Sequence, residues 1–383
     1  MAQESTSRRG KYKVKTVAII GGGPTGCICA NFLQDKFDVT IFDKGKFLRT
    51  LLPTGGGRCN LAHAEYDFKE LAKNYPRGEK FLYSVFSRFG TAETIEFFKN
   101  IGIETYTQED NRIFPVSNST SDVREKFLKS ISNCNFIKEG VKKLQPLESG
   151  WKIQTDKSIY AFDYVIVATG GHAGYEILQD LNIKIQPPTQ ALVGLTTEED
   201  FSSIAGVTIN NILFTHKGIS GPKIYEISSI NARKKMPYTL SFELIPQFDL
   251  QKYLNQNPHK EIKNLLGQFI PKALAAWILN DLSISSETPC HKINGKMRDE
   301  ILNKLTNFKI TVTGKVPDGE VVTCGGVDLK EVNSKTLESK QYSGLYFCGE
   351  VLDIDGFCGG FNLQNCWSTG YIVSQSILNM FIL

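Results

Sequence analysis

The sequence predicts an α/β fold built on a doubly wound parallel sheet, and three observations carry that reading. A strand, glycine turn, helix and strand stand near the amino end; buried-type strands recur far downstream; and the stretch near 190–317 has a different texture. Val17-Ala-Ile-Ile20 is a short unbroken apolar run, as in a strand covered on both faces. Gly21-Gly-Gly-Pro-Thr-Gly26 follows, then a helical stretch over Cys27–Leu33. Phe37-Asp-Val-Thr-Ile-Phe-Asp43 is the second strand and ends in an acid. Such a run of about 30 residues is a minimal βαβ unit.

Further along, Phe81, Leu82, Val85, Phe86 and Phe89 recur at helical spacing, and Ile95 with Phe98 marks another helix. Tyr164-Val-Ile-Val-Ala168 is a buried-type strand that ends in Thr169-Gly-Gly171. Leu345-Tyr-Phe-Cys348 is another, running into Gly349-Glu350. Between them the pattern changes. Tyr238, Leu240, Phe242 and Leu244 alternate with polar residues, as do Val207 and Ile209, which is the period of a half-exposed strand. Ile262, Leu265, Leu266, Phe269 and Ile270, and later Ile301, Leu302 and Leu305, return to helical spacing. Residues near 190–317 therefore read as an antiparallel sheet with a helical lobe.

Composition narrows the function classes. With 383 residues, 41% hydrophobic and 22% charged, the chain is an ordinary globular protein and not a disordered or collagen-like one. Lys+Arg 44 against Asp+Glu 40 leaves a net charge of +4, too thin a margin to argue for nucleic acid without a concentrated patch. No apolar run approaches the roughly 18 residues of a membrane span. The basic start, with Arg8, Arg9, Lys11, Lys13 and Lys15, precedes only four apolar residues, Val17–Ile20. A secretory h-region needs roughly 7–15, so the expectation is a flexible basic arm over 1–14 and a cytoplasmic protein. The nine cysteines include no C-x-x-C and no zinc-finger spacing, which argues against a zinc site and against a redox-active disulfide pair. Cys27 and Cys29, two apart on a helix, point to different faces.

Gly21-x-Gly23-x-x-Gly26 matches the dinucleotide fingerprint in its required setting, after a strand and before a helix. Its glycines permit a tight turn, close approach of backbone to a pyrophosphate, and close helix–strand packing. A helix starting near Pro24 and Thr25 offers free N–H groups and a partial positive charge to phosphates. Asp43 lies where an acid accepts hydrogen bonds from ribose hydroxyls, and it disfavours a 2′-phosphate, an effect the adjacent Lys44 softens. The fingerprint alone does not separate FAD from NAD. At the carboxyl end, Gly349-Glu350-Val-Leu-Asp353 follows a strand, and Gly356, Gly359 and Gly360 precede Phe361-Asn-Leu-Gln364 and a helical tail. A helix beginning near Gly360 would aim its positive end at a flavin ring and stabilise its reduced, negative form.

Three segments carry a family resemblance: Pro53-Thr-Gly-Gly-Gly-Arg-Cys-Asn60, Phe214-Thr-His-Lys-Gly-Ile-Ser-Gly-Pro222, and Gly349–Gly356 with Gly359-Gly-Phe-Asn-Leu-Gln364. From about Lys15 to its end the chain resembles the bacterial BaiN/YhiN-type flavoproteins, the aminoacetone-oxidase-like family. The resemblance implies a Rossmann-like FAD-binding domain of the two-dinucleotide-binding type over 15–190 and 318–383. An inserted antiparallel-sheet plus helical domain over 191–317 would interrupt it. By position, it implies that Gly21, Gly23, Gly26 and Asp43 hold the adenosine and pyrophosphate half. Gly57, Arg58, Cys59 and Asn60 would follow the pyrophosphate and ribityl chain. Val141 would contact adenine through its backbone, and Thr169-Gly170 would close over that half. Gly349, Glu350, Asp353, Gly360, Asn362 and Leu363 would bracket the ribityl chain and ring. Two positions depart from the family: Asp43 stands where Glu is usual, and Phe357-Cys358 replaces smaller or polar residues.

The residues nominate no catalytic acid or base. His216 and Ser220 sit in the glycine-proline segment, read as a loop, where His216 has the right proton affinity for a donor but a loop histidine bonded to backbone is commoner. Gly218-x-Ser220-Gly-Pro222 is not a hydrolase elbow, because Pro222 stands where that motif needs glycine. Cys59 reads as packing beside the cofactor, and His63 and His172 lack a partner at metal spacing. A second G-x-G-x-x-G is missing, so NAD(P)H is expected as a visiting electron donor without a site of its own. The leading expectation is an FAD-dependent oxidoreductase acting on a small organic molecule, as an enone-type reductase or an amine oxidase. A flavoprotein acting on tRNA, with Asn231-Ala-Arg-Lys-Lys235 and Lys142-Lys143 as its basic patch, is the alternative; it is disfavoured because interleaved aromatics are absent. A non-catalytic flavin-binding protein is the third.

Overall fold

An unbroken apolar run is stable only between two covered faces, and Val17, Ala18, Ile19 and Ile20 of β1 (Thr16–Ile20) are all buried. The computed structural model describes residues 14–171, 174–317 and 322–380. The basic arm expected over 1–14 lies outside them except for Val14, and so does His172. From β1 the chain enters α1 (Pro24–Leu33), with Pro24 at the helix start, where the missing N–H has no intrahelical partner to lose. It returns as β2 (Asp38–Phe42), parallel to β1 in register Thr16↔Asp38 to Ile20↔Phe42. β3 (Asn135–Ile137), β4 (Tyr164–Val167) and β5 (Leu345–Phe347) complete a five-stranded parallel sheet in the order β5-β4-β1-β2-β3.

From β1 the order runs to β2 on one side and to β4 on the other. The carboxyl ends of β1 and β4 thus form a topological switch point, where ligands of doubly wound sheets bind. The last helix, α2 (Phe361–Met380), lies along α1. Gly370 permits this approach: a Cβ there would lie 2.4 Å from Ile28 Cγ2 and 3.4 Å from Cys29 Sγ. With the sheet on one side and α2 on the other, α1 has no solvent face. Cys27 and Cys29 do project differently, Cys27 Sγ toward the Gly22 carbonyl and Cys29 Sγ toward Cys348 at 3.8 Å, and both are fully buried.

The periodic aromatic runs form the helices Glu79–Phe86 and Thr91–Asn100, as their spacing predicts. Strands Val141–Pro146, Trp151–Thr155 and Ile159–Phe162 make one antiparallel meander, and Ala62–His63, Arg112–Pro115 and Thr105–Thr107 another small sheet.

The chain divides into two compact units, Met1–Thr189 with Val322–Leu383 and Gln190–Val321, each with its own apolar core. The second unit is a six-stranded antiparallel sheet with helices that include Ile262–Leu266, Lys272–Asp281 and Gly295–Thr306. Its core takes the residues that the helical spacing selects, among them Ile262, Leu265, Leu266, Ile301 and Leu305. The glycine-proline segment differs from its reading as a loop. Ile212–Thr215 and Gly218–Ser220 pair as a hairpin, because Gly218, at φ 137°, lets the backbone cross the Leu195 carbonyl, which a Cβ would meet at 2.3 Å. His216 is exposed at the tip of that hairpin, and Ser220 Oγ faces the Tyr225 hydroxyl at 3.4 Å.

Asp163 ties β1 to β4. Its carboxylate accepts from Thr16 N at 2.8 Å, Thr16 Oγ1 at 3.0 Å and Lys15 Nζ at 2.7 Å. Burial pushes its pKa up, but these donors outweigh burial and hold it below the usual carboxylate value. A depressed folded pKa contributes stability that is present above the unfolded value of about 3.9 and lost as pH falls through the folded one. Lys15 is half exposed and adds little. Asp163→Asn should therefore cost about 1–2 kcal/mol in urea unfolding at neutral pH. The difference from wild type should shrink below about pH 4; a gap that persists in acid would contradict the assignment.

Candidate functional site

The turn after β1 is shaped by two glycines that the chain itself requires. A Cβ on Gly21, at φ 113°, would lie 2.2 Å from the Ala168 carbonyl oxygen at the end of β4. One on Gly26 would lie 1.9 Å from the Gly21 carbonyl, so α1 packs directly on the turn that precedes it. Gly23 is different. Its φ of −79° and ψ of −173° suit any residue, and a Cβ would meet only Thr50 Oγ1, at 3.8 Å. Nothing within the described residues requires glycine there. Asp43 stands at the end of β2, where Oδ2 accepts from Gly22 N at 2.8 Å and Oδ1 from Gly45 N at 2.6 Å. Each carboxylate oxygen keeps a lone pair for a further donor. The Lys44 side chain lies against Gly140, beside buried Val141 at the start of its strand.

The second glycine cluster is the short helical turn Thr54–Gly57. Gly55 packs against Asn60. Gly56 and Gly57, at φ 67° and 85°, lie open: a Cβ on either would have nothing within 4 Å. Arg58 places its guanidinium 4.2 Å from the centre of the Phe114 ring, an orientation a cation–π contact favours. Cys59 takes φ 66° and is fully buried, and burial pushes its thiol up to about 12. It is a packed thiol, protonated at neutral pH. The Asn60 amide bridges two segments, donating to Ala62 O and accepting from Gly360 N, both at 3.0 Å.

The third cluster follows β5. Gly349, at φ 76°, abuts the amino end of α1: a Cβ would lie 2.2 Å from Thr25 Oγ1, and Gly349 N donates to Thr369 Oγ1 of α2 at 2.9 Å. Glu350 accepts from Thr323 N at 2.9 Å and lies beside Gly170 and Gly171 at the end of β4. Asp353 is nearly buried, and its N–H donates to Val327 O. Asp355 is completely buried and receives both Nε and Nη2 of Arg77, a bidentate pair that anchors the loop before Gly356. Asn362 folds back onto that loop: Oδ1 accepts from Gly356 N and Nδ2 donates to Gly356 O, each at 2.8 Å. Leu363, half-buried, packs against the core.

These clusters meet at the carboxyl ends of β1, β4 and β5. Gly21 touches β4, Gly349 touches α1, and Gly360 touches the Asn60–Ala62 segment. His216 and Ser220 belong to the other unit. Lys142 and Lys143 are paired with Asp156 and Asp180, so that part of the basic patch is neutralised. Among the described residues, four buried side-chain polar atoms lack a partner: Thr169 Oγ1, Tyr175 OH, Gln364 Oε1 and Asn365 Oδ1. Two follow β4 and two lie in the first turns of α2. Sequence reading found Thr169 but missed Tyr175, Gln364 and Asn365. The available signal was a pair of amides, Gln364 and Asn365, at the start of a long helix whose flanking residues are largely apolar. Among the described residues there is no His, Cys, Asp and Glu group that could hold a metal, and no helix long and apolar enough to cross a membrane.

The chain suits an FAD-type cofactor on two grounds: glycine backbone left open at Gly23, Gly56 and Gly57, and buried polar atoms without a partner among the described residues. Comparison with known proteins agrees. The HI0933-like protein Rossmann domain matches residues 15–376, and the chain belongs to that family of FAD-binding flavoproteins. A Haemophilus influenzae protein named ribosomal RNA dihydrouridine synthase is 29% identical, covering 94% of this chain and 97% of its own. An Escherichia coli protein of the same name is 27% identical, with the same two coverages. A Clostridium scindens protein named 3-dehydro-bile acid delta(4,6)-reductase is 28% identical, covering 94% of this chain and 98% of its own.

Two glycine variants separate fold from cofactor. Gly23→Ala should leave stability within about 1 kcal/mol of wild type while weakening FAD binding about tenfold or more. Gly349→Ala meets Thr25 and a left-handed backbone, and should cost about 1–3 kcal/mol of stability. Urea unfolding and quenching of FAD fluorescence read the two effects. Unaltered FAD affinity in Gly23→Ala would remove the pyrophosphate from this turn.

Proposed function

We propose that the chain is an FAD-dependent reductase that saturates a carbon–carbon double bond conjugated to a carbonyl, with NAD(P)H as a visiting donor. One observation carries the reading: relatives aligned over 94% of the chain bear two different names that describe the same chemistry. Dihydrouridine differs from uridine by hydrogen added across a ring double bond conjugated to a carbonyl. A delta(4,6)-reductase of a 3-dehydro substrate removes double bonds conjugated to an oxo group.

In this reading the N–H groups of Thr25 and Gly26 at the start of α1, which Pro24 opens, and the open backbone of Gly23 and Gly57 receive the pyrophosphate. Asp43 offers its remaining lone pairs to the ribose hydroxyls, and Lys44 with Val141 lies on the adenosine side. Arg58, Cys59, Asn60, Thr169 and Gly170 line the middle of the cofactor. Gly349, Glu350, Asp353, Gly360, Asn362 and Leu363 border its ring end, where the positive end of α2 favours the reduced, anionic form. When bound, the flavin supplies two-electron hydride chemistry. The chain's own residues orient it, exclude water and deliver a proton.

A second reading concerns only the acceptor. The names of two relatives favour a uracil base within RNA over a free small molecule. Anaerobic titration with NADPH and then NADH, following the visible flavin band, tests the donor. Cyclohexenone and unmodified ribosomal RNA, added in turn to the bleached protein, test the acceptor. Bleaching by a nicotinamide and recovery with cyclohexenone is the expected result. Recovery with RNA alone would assign a nucleobase substrate. Failure of both acceptors would overturn the reductase reading.

A further inference from the structure

The paired glycines after Cys358 have a specific steric purpose. A Cβ on Gly360 would lie 2.4 Å from the Ala62 carbonyl oxygen, and one on Gly359 would lie 3.3 Å from His63 Nδ1. Both glycines have positive φ, 99° at Gly360 and 136° at Gly359. They let the loop before α2 lie flat on the two-residue strand Ala62–His63, which directly follows the Gly55–Asn60 turn. His63 is thereby held on three sides. Its Nδ1 faces the Gly359 carbonyl at 3.1 Å, its ring stacks on Phe361 at 4.5 Å between centroids, and its own carbonyl accepts from Thr91 Oγ1 at 3.0 Å.

A carbonyl oxygen only accepts, so Nδ1 must carry a hydrogen. That fixes the tautomer: Nε2 holds the lone pair in the neutral ring and the second N–H in the imidazolium. The ring is thus oriented by protein at one nitrogen, while among the described residues no hydrogen-bond partner meets the other. The same loop presents Cys358, which is exposed, and Arg112 is the register partner of His63 on the neighbouring strand. The ionisable groups around His63 are accounted for. Arg112 is held by Asp110, Glu65 accepts from Asp67 N, and Glu93 accepts from Gly90 N.

We infer that His63 is the proton donor of the reduction, acting through Nε2 at the ring end of the cofactor; the inference rests on the reductase reading above. In the balanced step, a hydride passes from reduced FAD to the β-carbon of the conjugated acceptor, leaving FAD oxidised. The proton leaving His63 Nε2 forms the new bond at the α-carbon. The ring is left neutral, with Nδ1–H still on Gly359, and regains its proton from solvent.

His63→Asn keeps a donor for the Gly359 carbonyl and removes Nε2, while Cys358→Ser tests the rival donor on the same loop. The first readout needs no acceptor. The midpoint potential of the bound flavin, followed spectroelectrochemically as a function of pH, should give the same curve in wild type and Cys358→Ser. The curve should differ in His63→Asn. The second readout is anaerobic reoxidation of the reduced holoprotein by cyclohexenone or ribosomal RNA, expected to slow by about a hundredfold or more in His63→Asn. Identical potential curves in wild type and His63→Asn, or a slow step confined to Cys358→Ser, would overturn the inference. Failure of wild type with both acceptors would overturn the reductase reading instead, and the potential curves would then decide whether His63 lies at the flavin.

Discussion

Gly349 has φ 76°, and a Cβ there would fall 2.2 Å from the Thr25 hydroxyl. At that point the carboxyl-terminal turn of the chain presses on the start of the first helix, about as close as backbone can approach. The contact requires β5 beside β4 and β4 beside β1, which the parallel registers supply. It also requires α2 to lie along α1, which Gly370 allows. Segments more than 300 residues apart are thereby joined into one rim at the carboxyl ends of the sheet. Gly21 against Ala168, Gly349 against Thr25 and Gly360 against Ala62 are its close approaches.

Polar groups in these segments divide into those paired within the protein and those without a partner among the described residues. Asp355 is satisfied by Arg77, and Asn362 by both backbone groups of Gly356. These rigidify the loop before α2. Thr169 Oγ1, Tyr175 OH and Asn365 Oδ1 have no such partner among the described residues. Leaving a buried polar atom unpaired costs about 1–3 kcal/mol, so each of these three atoms calls for a partner. Burial raises the Tyr175 hydroxyl pKa, with Glu350 and Asp353 adding to it, so it stays a neutral donor.

Much of the parallel sheet was legible because a strand buried on both faces must be apolar throughout, as Val17–Ile20 and Tyr164–Val167 are. Gly26 was legible because its contact, the Gly21 carbonyl, is close in sequence, and Gly21 and Asp43 because they belong to the spacing of a known fingerprint. What depends on distant approach was not. Nothing local to Gly360 announces that Ala62 lies against it, and nothing local to Asn362 shows that its amide turns back onto Gly356. The segment around Gly218 looked like a loop from its glycines and proline, whereas Gly218 is there so that one strand can cross another. His63 had no meaning in sequence beyond its lack of metal partners. Its role emerges only when a carbonyl nearly 300 residues downstream fixes its tautomer.

A crystal structure of the protein with FAD bound decides whether FAD sits on this rim. The expected result is pyrophosphate oxygens against the Gly23 backbone and the start of α1, with ligand partners for Thr169 Oγ1 and Asn365 Oδ1. A cofactor seated elsewhere, with Gly23 facing only solvent and those two atoms still without a ligand, would contradict it.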